Sequence, residues 1–143
     1  MTIDEIRDNF AVLDDWEDRY RYVIELGRAL APLDDGDRTE ANKVRGCASQ
    51  VWLVSRATPA SPGTPSRISF SGDSDALIVR GLIAILLAAV EGRTAGELAA
   101  MDLPAVFAGL GLAENLTPQR SNGLASMIAR VRADASRAAG THT

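Results

Sequence analysis

The 143-residue sequence contains a single cysteine, Cys47, and a single histidine, His142. One thiol excludes an internal disulfide, and it cannot supply the several Cys, His or carboxylate ligands that a zinc or iron–sulfur site requires. A cysteine hydrolase needs a base beside the thiol, but His142 lies in a C-terminal tail that we expect to be frayed. A redox switch needs a resolving cysteine, which is missing. We therefore expect no metal site, no hydrolase chemistry and no intramolecular redox pair.

The sequence also lacks an excess of positive charge, a secretory signal and a long apolar run. A net charge of -4 and a pI near 4.9 argue against binding nucleic acid or an anionic membrane through a broad basic face. The acidic N-terminus, MTIDEIRDNF, has no signal-peptide succession, so we expect a cytoplasmic protein. The longest apolar run, residues 76–90, is broken by Arg80 and is shorter than the roughly 20 residues that span a bilayer. It is predicted to be a core helix.

The overall composition of the sequence favours a folded chain. The hydrophobic fraction is 46% and the charged fraction 24%, which is typical of a globular protein with one buried core. No internal repeat or linker divides the sequence. We therefore predict one domain over residues 1–143, with a protein partner or a small substrate rather than nucleic acid.

Apolar residues spaced by three and four predict that most of the chain is helical. A short N-terminal helix is followed by one that Asp14 or Asp15 caps and Pro32 ends. The expected later helices are a buried one after an Asp73 or Ser74 cap, a short one capped by Thr94, a stretch over residues 103–110, and a last helix that opens at Thr117 and Pro118. The last helix is predicted to bury Leu124, Met127, Ile128 and Val131 and to leave Arg130, Arg132 and Arg137 solvated.

Two short segments are predicted to be strands. QVWLV is rich in β-branched and aromatic residues, and RISFS alternates apolar Ile68 and Phe70 with polar neighbours. We expect them to pair as a hairpin, with Trp52 in the core and a proline-rich surface loop between the strands. The polar, turn-rich residues 33–46 are predicted to be an exposed connection. The fold class is therefore α+β, with helices around a small antiparallel sheet.

Cys47 has two interpretations at this point. A lone cysteine is commonly a small buried hydrophobic residue. However, Cys47 follows Gly46 in a polar segment just before a strand, and the nearby Lys43 and Arg45 are expected to stabilise a thiolate. A reactive thiol without a base, metal or second cysteine remains suited to one reaction, the exchange of sulfur with the sulfur of another protein.

Four blocks of the sequence resemble, in order, the SufE-type cysteine desulfuration proteins. The blocks are WEDRYRYVIELGRAL, NKVRGCASQVWLV, GDSDALIVRGLIAIL and LTPQRSNGLASMI, and they cover nearly the whole chain. The second block places the family's sulfur-carrying thiol on Cys47. Position 48 departs from the family, since Ala48 stands where polar residues such as Gln are common, which affects the details of the loop and the fit to the partner.

The resemblance implies a sulfur acceptor that serves iron–sulfur cluster assembly. Cys47 would take persulfide sulfur from a pyridoxal-phosphate (PLP) cysteine desulfurase, stimulate that enzyme, and pass the sulfur to an iron–sulfur scaffold. The partner would be a SufS-type desulfurase or, for the close relative CsdE, a CsdA-type desulfurase. The chain itself would hold no cofactor, would have no independent turnover, and would have a fold similar to that of IscU-type scaffolds.

The resemblance also singles out residues around Cys47. Arg120 opposes the dipole of its own helix, and the matching arginine of the family lies near the cysteine loop, where it would favour the thiolate or persulfide or contact the desulfurase. Asp75 is expected either to cap a helix or to hold the loop closed. Hydrogen bonds to the loop backbone are expected from Ser49, Gln50 and Asn42.

Each of these roles has a competing explanation. For Arg120, the alternatives are a solvated side chain or a side chain that makes a structural hydrogen bond to a loop carbonyl. For the chain as a whole, the alternative is an interaction module that raises desulfurase activity allosterically by binding, with Cys47 purely structural.

Overall fold

A computed structural model describes residues 1–59 and 61–140 of the chain. His142 and the end of the expected frayed tail lie outside these residues. In chain order the elements are α1 (Ile3–Ala11), α2 (Trp16–Ala29), a 3-10 turn (Asp35–Asp37), β1 (Val51–Ala57), β2 (Ile68–Ser74), α3 (Leu77–Val90), α4 (Ala95–Ala100), α5 (Leu103–Gly109), α6 (Leu112–Asn115) and α7 (Pro118–Gly140).

Side-chain caps begin most of the predicted helices where the sequence placed them. The Asp15 carboxylate accepts a hydrogen bond from the Asp18 amide at the start of α2. Thr94 forms a capping box with Glu97 at the start of α4. Thr117 accepts from the amide of Arg120 in the first turn of α7. Each cap satisfies a backbone amide that the helix itself leaves without a partner, and the predicted starts are confirmed.

The predicted cap of the central helix is wrong. Asp73 and Ser74 are the last residues of β2, paired with Trp52 and Val51, and α3 begins only at Leu77. The backbone of this segment is used by the sheet, so the helix starts later than its polar residues suggest. α3 itself is buried as predicted, with only Arg80 charged along its length.

The sheet is an antiparallel pair in which Val51 lies opposite Ser74 and Ala57 lies opposite Ile68. The segment between α2 and β1, predicted to be an exposed connection, extends the sheet by one bridge, which pairs Lys43 with Trp52. Helices surround this small sheet: α3 contacts β2, and α7 contacts β1. The predicted α+β fold, a small antiparallel sheet flanked by helices, is confirmed.

Close packing of α2 on α3 forms the centre of the core. A Cβ built on Gly81 would lie 2.1 Å from the carbonyl oxygen of Val23, and one on Gly27 would lie 2.4 Å from the carbonyl oxygen of Leu77. Only glycine allows the two backbones to approach so closely. Around this crossing, the apolar face of α7 is buried as predicted, including Leu124, Met127, Ile128 and Val131.

Two side-chain predictions are corrected by the packing. Trp52 is half-buried rather than in the core, because it lies on the strand face opposite Val51 and Leu53, under the guanidinium of Arg38 at 5.7 Å. Arg130 is not solvated, since its side chain is only 26% exposed and paired with Asp134. Within residues 1–59 and 61–140, no helix is both long and apolar enough to cross a membrane.

Candidate functional site

Cys47 is carried by a tight hairpin formed by residues 42–53, here called the Cys hairpin. Its first strand runs antiparallel to the start of β1. The amide of Val44 donates to the carbonyl of Val51 at 2.8 Å, and the amide of Leu53 donates to the carbonyl of Asn42 at 2.9 Å. These bonds fix the base of the hairpin and leave a short loop at its tip.

The loop at the tip, residues 45–50, is here called the Cys loop, and it lies against α7. Gly46 has a φ of +90°, a conformation that side chains with a Cβ rarely adopt. A Cβ at this position would also lie 2.6 Å from the Oγ of Ser126. The glycine before Cys47 therefore serves both the turn and the close contact with the helix.

The Cys47 thiol is half-buried and faces the backbone of α7. Its Sγ donates to the carbonyl oxygen of Gly123 at 3.6 Å. Burial raises the pKa of the Cys47 thiol above its ordinary value. The expected lowering by Lys43 and Arg45 is wrong: burial decides the direction of the pKa shift, and the exposed Arg45 pairs instead with Glu40 at 3.1 Å.

A cavity of about 250 Å³ lies beside the thiol. Cys47, Ala48 and Ser49 form its loop side, and apolar side chains of α3 and α7 form much of the rest. Arg120 also lines the cavity, with its guanidinium 6.0 Å from the ring centroid of Tyr20. The arginine that the family resemblance singled out is thus brought from the start of α7 into the same small space as the thiol.

Asp75 closes the far end of the Cys loop. Its Oδ1 accepts a hydrogen bond from the amide of Gln50 at 3.0 Å, and its own amide donates to the carbonyl of Gln50 at 3.3 Å. The carboxylate therefore holds the loop backbone rather than the cap of α3. Gln50 takes part through its backbone amide rather than through the side chain that the sequence predicts.

Asn42 and Ser49 occupy different parts of the hairpin. The side-chain amide of Asn42 donates to the carbonyl of Asp37 at 2.9 Å, so it ties the base of the hairpin to the preceding turn. Ser49 is half-buried and lines the cavity. Sequence reasoning missed Gly123 and Ser126, because nothing along the chain indicates which turn of α7 meets a loop more than seventy residues earlier.

The chemistry available at this site is that of one thiol. Among residues 1–59 and 61–140 there is no group of three or more His, Cys, Asp or Glu side chains placed to hold a metal ion. Where Cys47 now lies, its hydrogen-bond acceptor is a backbone carbonyl, which cannot remove its proton. The arrangement suits a thiol that reacts with an activated sulfur brought to it, rather than one that attacks an unactivated substrate.

Comparison with known proteins gives a consistent family. Residues 4–135 match the model of the SufE family, described as an Fe–S metabolism associated domain. An uncharacterised SufE-like protein of Rhizobium etli is 58% identical over 94% of this chain and 89% of its own length. A second uncharacterised SufE-like protein, from Rhizobium meliloti, is 52% identical over 94% of both chains.

The fold is also found in a solved structure. The solution structure of a hypothetical protein from Thermus thermophilus superimposes with a TM-score of 0.71 and 21% sequence identity, over 96% of this chain and 98% of that one. At this identity the likeness concerns the fold alone. With the family model matching nearly all of the sequence and two relatives above half identity, the chain belongs to the SufE family, whose domain is associated with iron–sulfur metabolism.

Proposed function

We propose that this protein accepts sulfur on Cys47 from the persulfide of a PLP-dependent cysteine desulfurase of the SufS or CsdA type. The observation that carries the proposal is the position of the thiol. Cys47 lies at the tip of a short loop, with Arg120 in the same cavity and without a base or a second thiol beside it among the described residues. A site of this kind can receive sulfur but cannot generate it.

The transfer step conserves atoms and electrons. The Cys47 thiolate attacks the outer sulfur of the partner's cysteine persulfide, and a new S–S bond forms on Cys47. The S–S bond of the donor breaks, and its electron pair leaves on the donor cysteine as a thiolate. The outer sulfur keeps its proton, so Cys47 ends as a persulfide and the desulfurase is freed for another turnover.

The size of the cavity supports a small sulfur group as the occupant. Sites for drug-sized ligands measure about 300–1,000 Å³. The cavity beside Cys47 measures about 250 Å³ and is shared with the loop itself, so it suits one added sulfur better than a free metabolite. The donor cysteine and PLP stay on the desulfurase, and this chain needs no cofactor of its own.

Arg120 is proposed to favour the anionic sulfur. Its position in the first turn of α7 places a positive charge where the helix dipole disfavours one, by about 0.3–1 kcal/mol. The guanidinium lines the thiol cavity, where it would counter the burial that raises the pKa of the Cys47 thiol. In the onward step, an acceptor thiolate attacks the outer sulfur, the S–S bond on Cys47 breaks, and Cys47 leaves as a thiolate. The outer sulfur thereby passes toward an iron–sulfur scaffold in the cytoplasm.

The test is intact-protein mass spectrometry after mixing the protein with a SufS-type desulfurase, PLP and L-cysteine. A gain of about one sulfur atom, removed by a reductant and absent from Cys47→Ser, is expected. Arg120→Gln should acquire the same adduct more slowly, because the thiolate loses a nearby positive charge. Arg132→Gln is the matched control, since Arg132 is exposed on α7 and lines a different groove.

The competing function, allosteric activation with a structural Cys47, predicts a different result. Desulfurase turnover would rise to the same extent with Cys47→Ser as with the wild-type protein, and no adduct would form. That outcome would reject the acceptor proposal, and equal adduct formation rates for Arg120→Gln and Arg132→Gln would reject the role of Arg120.

A further inference from the structure

One stripe of residues on α7 lies along the Cys hairpin, and its residues meet the hairpin in reverse chain order. Gly123 accepts the hydrogen bond of Cys47, and Ser126 contacts the position of Gly46. One helical turn further along, Arg130 reaches the first strand of the hairpin. Residues at positions 123, 126 and 130 lie on one side of a helix, because their spacings of three and four correspond to about one turn each.

Arg130 contacts two backbone carbonyls at the start of the hairpin. Its guanidinium donates to the carbonyl of Ala41 at 2.9 Å and to the carbonyl of Lys43 at 3.4 Å. The two carbonyls bracket Asn42, whose own carbonyl belongs to the ladder with β1. The planar fork of one guanidinium therefore holds two backbone groups at the base of the hairpin, which a single ammonium group does less well.

Asp134 holds Arg130 from one turn further along α7. Its carboxylate is only 2% exposed, and its Oδ1 accepts from the Nε of Arg130 at 3.3 Å and also pairs with Arg137. The second carboxylate oxygen is buried and makes no hydrogen bond among the described residues. Burying a carboxylate in this way is unfavourable unless its charge is paired, so the arginine beside it is held close.

We propose that Arg130, oriented by Asp134, is a positioning residue that clamps the first strand of the Cys hairpin to α7. The proposal rests on the proposed function of Cys47 and adds the feature that places the thiol. The clamp fixes the base of the hairpin, so that an opening of the Cys loop would not displace the segments that carry it. A desulfurase would then meet a thiol on a short loop whose two ends have fixed positions.

The experiment compares Arg130→Gln with Arg137→Gln in the full chain. Both variants remove one positively charged partner of Asp134, but only Arg130 contacts the hairpin. Two quantities are measured under native conditions: the rate of Cys47 alkylation by iodoacetamide, and the hydrogen-exchange rates of the hairpin amides of Val44 and Leu53. Urea unfolding of each variant gives the global stability for comparison.

Arg130→Gln is expected to raise the alkylation rate and both amide exchange rates about tenfold, as for the loss of charge-assisted hydrogen bonds that hold the closed state. Arg137→Gln is expected to leave all three rates within about twofold of wild type, since the exposed Arg137 does not contact the hairpin and Asp134 keeps its pair with Arg130. Arg130→Lys should fall between wild type and Arg130→Gln, because the ammonium keeps the charge but not the fork.

Three outcomes overturn the proposal. The first is unchanged alkylation and exchange in Arg130→Gln. The second is an equal increase in Arg130→Gln and Arg137→Gln, which would trace the effect to the burial of Asp134 and the global stability rather than to the clamp. The third is a rate for Arg130→Lys no lower than that for Arg130→Gln.

The readouts separate this proposal from the proposed function. Alkylation and hydrogen exchange require no desulfurase, so the clamp can be established even if Cys47 accepts no sulfur. Conversely, persulfide formation on Cys47 with unaltered rates in Arg130→Gln would keep the acceptor function and remove the clamp.

Discussion

At the scale of single residues, Cys47 combines two opposing properties. The proposed function requires its sulfur to attack a partner's persulfide as a thiolate, yet burial raises the pKa of the thiol and disfavours that thiolate. Movement of the Cys loop away from Gly123 relieves that burial. Reactivity is therefore tied to loop opening, and the hydrogen bond between Asp75 and Gln50 resists that opening.

The first prediction concerns Asp75→Ala. Loss of the carboxylate removes the acceptor for the Gln50 amide, which we expect to weaken the closed loop by about 1 kcal/mol and to speed Cys47 alkylation about fivefold. The pH midpoint of alkylation should also fall, because a more exposed thiol has a pKa closer to its ordinary value. The measurement is the iodoacetamide rate between neutral and alkaline pH.

The control for this prediction is Asp8→Ala, which removes an exposed carboxylate from α1. Its alkylation profile should match wild type. Identical rates and midpoints for Asp75→Ala and wild type would show that the Asp75 contact does not govern access to the thiol.

At this scale the sequence singled out the candidate reactive residue but not what surrounds it. Cys47 was found from its chain neighbours and the family pattern, and Arg120 does lie in its cavity. The sign of the pKa shift was wrong because Arg45 points to Glu40 and not to the sulfur. Side-chain direction depends on the hairpin geometry, which adjacent residues in the sequence do not specify.

Among the secondary-structure elements, the packing of α2 on α3 depends on glycines that sequence patterns treat as weak helix formers. Gly81 lowers the intrinsic helix propensity of α3 by about 1 kcal/mol relative to alanine. Its lack of a side chain lets the backbone of α3 touch the carbonyl of Val23. Tertiary contact here outweighs local propensity.

The second prediction is that Gly81→Ala lowers the free energy of unfolding by about 2 kcal/mol, despite the better helix propensity of alanine. The added Cβ would lie 2.1 Å from a backbone carbonyl, so the two helices must separate. Gly96→Ala in α4 is the matched control, because no atom lies within 4 Å of its Cβ position, and it should be neutral or stabilising. Urea denaturation measures both. Equal midpoints for the two variants would contradict the close-packing argument.

Helix starts were predicted correctly where a local side-chain cap also determines them in the folded protein. The caps at Asp15, Thr94 and Thr117 act within one helical turn, so the sequence predicted them. The bridge at Lys43 and the late start of α3 were missed, because both depend on backbone pairing with β1 rather than on a local cap. α6, four residues long, carries no periodic signal of its own.

Across the whole molecule, a buried carboxylate joins the elements behind the Cys hairpin. Asp73 is 1% exposed at the end of β2, where it accepts from the amide of Leu33 at 3.1 Å and from Arg38 at 2.6 Å. Arg80 of α3 lies 3.2 Å from its other oxygen and also donates to the carbonyl of Gly27 in α2. The cluster therefore connects both central helices, the sheet and the segment before the Cys hairpin.

The charge state of this cluster links folding to pH. Burial alone would raise the pKa of Asp73, but hydrogen bonds from Arg38, Leu33 and Ser74 and the charge of Arg80 outweigh it, so the pKa lies below its ordinary value. A carboxylate whose pKa is lowered by folding stabilises the native state at pH values above the unfolded pKa, about 4. That stabilisation disappears as the pH falls through the lower, folded-state pKa.

The third prediction follows for Asp73→Asn, which keeps the shape of the side chain and removes its charge. At pH 7 the variant should be less stable by about 3 kcal/mol, because two partly exposed arginines lose a buried partner. The difference from wild type should shrink as the pH is lowered below about 4, where wild-type Asp73 becomes protonated as well. Urea unfolding at a series of pH values gives both quantities.

Comparing Asp73→Asn with wild type separates the contribution of Asp73 to the pH dependence of stability from the contributions of other acidic residues. The pKa of Glu97 is also lowered, by its hydrogen bonds with Thr94, and it contributes to the acid sensitivity of both proteins equally. Asp35→Asn serves as the control, because Asp35 is fully exposed where it pairs with the same Arg38, and its stability should stay within about 0.5 kcal/mol of wild type. A stability difference between Asp73→Asn and wild type that stayed constant from neutral to acid pH would mean that the contribution of Asp73 comes from its shape and hydrogen bonds and not from its charge.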